Sequence, residues 1–86
     1  MGQSLFFIIY AAGHIGGVAG PLPYGMDGCV AHRDEARSAQ AKTLRTGWSP
    51  TFNRALTADE KAKIADMQFE CEWRDYRPKL GDKAGI

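Results

Sequence analysis

The chain opens on a continuous apolar run, Leu5–Ala12, that ends at Gly13. A run of this length, rich in β-branched and aromatic residues, predicts a strand over Ser4–Ala12 buried on both faces. Gly13-His14-Ile15-Gly16-Gly17 carries turn chemistry, because glycine enters the left-handed backbone region without a Cβ clash. Val18–Leu22 reads as a short returning strand. Pro21 and Pro23 restrict it to an edge, since proline has no N–H to donate to a ladder. The first third therefore predicts a β-hairpin.

The pattern changes at Asp27, a good N-cap for a helix through Arg45 that Gly47 ends. At about 100° per residue, Cys29, His32, Ala36, Ala39, Gln40, Thr43 and Leu44 fall on one side. Asp34, Glu35, Ser38, Lys42 and Arg45 fall on the other. The inner side is narrow and alanine-rich, which suits close approach to a sheet. Trp48–Leu56 reads as loop. Thr57 and Glu60 have capping-box spacing and start a short helix to Ala65. In Met67–Trp73, apolar Met67, Phe69, Cys71 and Trp73 alternate with Gln68, Glu70 and Glu72, the signature of a strand with one dry and one wet face. The predicted fold is α+β: a small antiparallel sheet, made of the N-terminal hairpin plus the C-terminal strand, packed on one long helix with a short second helix. Residues 1–80 form a single domain in this reading, and 81–86 a polar C-terminal tail.

Composition changes the picture in one respect. With 86 residues and 9.4 kDa, the chain is too short for a doubly wound nucleotide fold, a barrel enzyme or a kinase. Its net charge of +1 supplies no bulk pull toward nucleic acid or an anionic membrane. The distribution of charge is less ordinary. The first 26 residues carry none, whereas residues 48–86 carry seven Lys or Arg and seven Asp or Glu. One helix cannot cover both faces of an uncharged hairpin, so apolar surface is expected to remain for a partner. A membrane span needs about 20 apolar residues, and the opening run is shorter. No Lys or Arg precedes it, as a secretory signal would require. The cytoplasm is the expected location, with an exported or membrane-associated protein as the alternative.

Candidate chemistry is sparse. Cys29 lies on the inner side of the long helix and Cys71 on the inward face of the last strand, so a disulfide is geometrically open to them. Closing that loop of about 43 residues would stabilise the fold by about 4 kcal/mol through chain entropy. The alternative is two buried thiols acting as small hydrophobes. His14, Cys29, His32 and Cys71 are all the His and Cys of the chain. A structural zinc site usually draws on two close ligand pairs, and only Cys29 and His32 are close. No metal, cofactor or catalytic residue is expected. Trp73-Arg74-Asp75-Tyr76-Arg77-Pro78-Lys79 mixes aromatic and basic residues. Neighbouring Glu70 and Glu72 disfavour nucleic acid there, while Trp, Tyr and Arg are the types enriched in protein hot spots.

The interface candidates are therefore Phe6, Ile8, Tyr10, Ile15 and Val18 of the hairpin, with Trp73, Arg74, Tyr76 and Arg77 near the end. The function these features predict is a small non-catalytic protein-interaction module. It would act as a stoichiometric inhibitor or accessory protein of the phage type, such as an anti-CRISPR, and bind another protein or itself as a homo-oligomer. An exported or membrane-associated disulfide-bridged protein and a minor structural subunit of a larger assembly are the alternatives.

Overall fold

A computed structural model of the chain describes residues 2–83. In chain order it contains β1 (Ser4–Ala11), β2 (His14–Ala19), α1 (Met26–Thr46), β3 (Trp48–Ser49), β4 (Arg54–Ala55), α2 (Ala58–Asp66) and β5 (Gln68–Arg74). The fold is α+β. The main sheet has the order β2-β1-β5 with both pairings antiparallel, and α1 packs against it. The apolar run thus becomes the central strand, where both of its faces can be covered.

The hairpin is tighter than the glycines suggested. Ala12 (φ 53°) and Gly13 (φ 76°) both sit in the left-handed region, which gives a two-residue turn matched to the twist of the strands. Hence β2 starts at His14 rather than Val18, and Pro21 and Pro23 lie beyond its end. Gly25, not Asp27, holds the N-cap position of α1, and Asp27 sits in the first turn, where the helix dipole favours a carboxylate. Gly47 (φ 68°) ends α1, its N–H donating to the Thr43 carbonyl. The α2 capping box forms as its spacing predicts, Glu60 N–H to Thr57 Oγ1 and Thr57 N–H to Glu60 Oε1. Within the stretch expected to be loop, Trp48 pairs with Ala55 and Ser49 with Arg54 in a short hairpin.

Alternation along β1 sorts the core into two layers. Leu5 and Phe7 face α1 and meet Cys29 and Phe69. Phe6, Ile8 and Tyr10 face the other way and meet Ile15 and Val18. The second layer corrects the expectation of uncovered apolar surface. Phe6 (1% exposed), Ile8 (0%), Tyr10 (7%) and Ile15 (3%) are sealed inside the chain itself.

Two groups of contacts border this layer. From β5, Glu72 and Arg74 close on Tyr10: its hydroxyl donates to Glu72 Oε2 at 2.5 Å and accepts from Arg74 Nη2 at 3.3 Å. On the other flank, the segment after β5 turns back along the outer edge of β2. There Arg77 donates to the Val18 and Gly20 carbonyls, and Ile15 exchanges backbone hydrogen bonds with Gly81 and Asp82, both 2.7 Å. Pro78 is buried, and Lys83 bridges to His14. Gly81–Lys83, expected to begin a polar tail, are therefore laid against the sheet; residues 84–86 lie outside the described residues.

A second correction concerns α1. Of the seven residues expected on its inner side, only Cys29 is buried. Ala36, Gln40, Thr43 and Leu44 are half-buried, and His32 and Ala39 are exposed. A helix of 21 residues is about 31 Å long, and the three-stranded sheet backs mainly its first half. Its second half runs on past the sheet and is braced by α2 and the β3–β4 hairpin, within a molecule measuring 47 × 25 × 18 Å.

Candidate functional site

Cys29 and Cys71 form a disulfide, with Cα atoms 6.1 Å apart and a sequence separation of 42. It ties the first turn of α1 to the middle of β5. Both sulfurs are consumed, so neither a thiolate nucleophile nor a Cys2His2 zinc set exists in this form. The histidines are apart from it in role: His14 Nδ1 lies 3.0 Å from the Ala12 carbonyl, and the His32 ring stands edge-on to Phe7 at 5.1 Å. Among the described residues, no three His, Cys, Asp or Glu side chains converge as metal ligands.

The interface candidates divide sharply. Phe6, Ile8, Tyr10 and Ile15 are buried and Val18 is half-buried. Arg74 is committed to Glu72, at 2.9 and 2.6 Å, and Arg77 to the β2 carbonyls. Burial and the Glu72 carboxylate both push the Tyr10 hydroxyl above its ordinary pKa. Only Trp73 (49% exposed) and Tyr76 (67%) present large apolar area to solvent.

A larger apolar feature lies at the other end of the molecule. Ala36, Ala39 and Thr43 of α1 are small, so they leave a hollow beside the helix where longer side chains would have filled it. Met67, just before β5, and Phe69 near its start line the hollow, and Leu56 and Ile64 line it from the α2 side. The result is an open groove of about 560 Å³, within the about 300–1,000 Å³ typical of binding pockets. Phe52, 65% exposed, stands on its rim.

The groove's frame is held by polar contacts. Gln40 Nε2 donates to the Ile64 carbonyl at 2.6 Å and the Met67 carbonyl at 2.9 Å, satisfying the C-terminal end of α2 and pinning it to α1. Arg54 makes a two-pronged contact with Glu60 at 2.8 and 2.6 Å, and its guanidinium lies 5.3 Å from the Phe52 ring centroid. The Arg54 hydrogen bonds and the Thr57 N–H hold the Glu60 carboxyl at about 2. Buried Ser49 accepts the Phe52 N–H at 3.1 Å and shapes the hairpin tip. Lys63 also lines the groove and has no carboxylate partner among the described residues.

Periodicity along any one element does not point to this site. Phe52 and Leu56 are isolated apolar residues in a polar stretch, and Ile64 is alone on a polar helix. The available signal was their shared proximity to the alanine-rich side of α1. Comparison with family models, curated proteins and solved structures finds no match to this chain.

Proposed function

We propose that this chain is a small non-catalytic protein-interaction module of the inhibitor or accessory type, and that it binds through the groove beside the second half of α1. The observation that carries this reading is the groove itself. It is an apolar concavity that brings Leu56, Ile64, Met67 and Phe69 together, with the exposed aromatic Phe52 on its rim. Aromatic rims beside desolvated pockets are where binding energy concentrates in protein interfaces. Both thiols are bonded to each other, which leaves no free sulfur nucleophile.

The disulfide supports an oxidising compartment rather than the cytoplasm, because reducing pools keep cytosolic thiols free. No helix among the described residues is long and apolar enough to cross a membrane. Alkylating the protein during lysis and measuring its intact mass tests the compartment. A mass two hydrogens short, with no alkyl added, is expected; two alkylated cysteines would return the protein to a reducing compartment. Binding is tested with wild type and Ile64→Asp as baits in extract of the native host. A protein retained by wild type and lost with Ile64→Asp, at unchanged thermal midpoint, is the expected result. Identical retention by both baits would remove the groove from the interface.

A further inference from the structure

Charge is unevenly divided between the two ends of this molecule. Gln40–Asp66, which builds most of the groove, carries Lys42, Arg45, Arg54, Lys61 and Lys63 against Asp59, Glu60 and Asp66, a net of +2. The rest of the chain carries a net of −1. Asp59 has no ion-pair partner among the described residues, but it is outnumbered by Lys42, Arg45, Lys61 and Lys63, which have none either. Glu60 is held by Arg54, and Asp66 Oδ2 accepts the Ala12 N–H at 2.5 Å. The Lys63 ammonium on the lining has no such partner among the described residues. An apolar hollow beside an unneutralised cation selects an occupant that is apolar on one side and anionic around it.

Resting on the interaction reading above, we infer that the groove takes an acidic amphipathic helix from another protein. Its bulky apolar side chains would enter the hollow between Ala39, Ile64 and Phe69, and its carboxylates would meet Lys63. Small residues on α1 allow a second helix to approach closely, and α1 with α2 supplies the walls that helix-in-groove recognition uses. A second copy of this chain fits less well, because two-fold pairing through this patch would bring two Lys63 groups and two net-positive surfaces together.

The probe is a designed helical peptide with Leu at positions spaced three and four apart and Glu elsewhere, compared with its counterpart carrying Lys for Glu. Binding is followed by fluorescence anisotropy, and the site by methyl and amide NMR shifts. The acidic peptide is expected to shift Ile64, Met67 and Phe69 signals and to bind at least about tenfold more tightly than the basic one at low salt. Lys63→Glu should erase that preference, and Phe52→Ala should weaken the acidic peptide by about tenfold or more. Rising salt should narrow the gap.

Equal or tighter binding of the basic peptide in the groove would overturn the acidic partner and leave the groove as an interface. Shifts confined to Trp73 and Tyr76 would overturn the groove as well. So would no shift at all with either peptide. Groove signals that move with protein concentration alone, with a doubled sedimentation mass, would replace the foreign helix by a second copy.

Discussion

The two ends of this molecule use similar apolar residues to opposite effect. At the sheet end, Phe6, Ile8 and Ile15 are sealed by strands, by the Tyr10–Glu72–Arg74 cluster and by a returning C-terminal segment, and a disulfide fastens helix to sheet. At the groove end, Phe52, Leu56 and Ile64 border a hollow that the alanine side of α1 leaves unfilled. The first arrangement spends apolar surface on stability. The second leaves it lining an open hollow. An uncharged sequence stretch is therefore a poor guide to exposed apolar surface; what matters is whether the chain supplies its own cover.

The contrast should be largest for aromatic truncation. Phe6→Ala should cost about 3–5 kcal/mol, the range for emptying a packed aromatic site. Phe52→Ala should stay within about 0.5 kcal/mol, as exposed positions do. Denaturant unfolding of both variants reads the difference, and similar losses would erase the distinction between the ends. Removing the bridge by Cys29→Ala with Cys71→Ala should cost about 2–4 kcal/mol. Hydrogen exchange should then show protection falling across β5 and the first turn of α1, with α2 less affected.

Gly20→Ala comes next. Gly20 has φ 136°, and an added Cβ would lie 2.8 Å from a Phe6 ring carbon and 2.9 Å from the Leu5 carbonyl. Neither the buried ring nor the central strand can retreat freely, so the cost should be about 1–3 kcal/mol. A neutral effect in thermal melting would mean that the second core layer is loose.

The smallest effect belongs to the groove end and depends on pH. Glu60 has its carboxyl depressed from 4.5 to about 2, so the folded state holds this proton more weakly than the unfolded chain does. Its contribution is complete above about 4.5 and is lost as pH falls toward 2. Once the fall of intrinsic exchange with pH is divided out, protection in the first turn of α2 should drop over that window while β1 stays protected. Arg54→Ala should bring Glu60 back toward an ordinary carboxyl titration in side-chain NMR.

Much of the fold was legible because it is written locally. The alternation in Met67–Trp73 identified β5, Thr57 and Glu60 identified the start of α2, and the inward positions of Cys29 and Cys71 made their bridge open to inference. The returning segment was not legible. Its hydrogen bonds join Arg77, Gly81 and Asp82 to residues about sixty positions earlier, and no periodicity encodes such docking. The groove was hidden for a related reason. The spacing of Ala36 and Ala39 marks an apolar side of α1, but not that the three-stranded sheet gives out before that side ends. Trp73, which the alternation put on the dry face of β5, is half exposed at the end of that strand; Phe6, Ile8, Tyr10 and Ile15 were read as needing a partner that the chain itself provides.

Methyl NMR of the protein alone, with a soluble paramagnetic agent, compares the two ends within one sample. Ile8 and Ile15 report the sheet end and Ile64 the groove. The Ile64 δ1 methyl should broaden strongly at agent concentrations that leave Ile8 and Ile15 sharp. Broadening of Ile8 to the same degree as Ile64 would contradict the account, because it would place open apolar surface on the hairpin rather than in the groove.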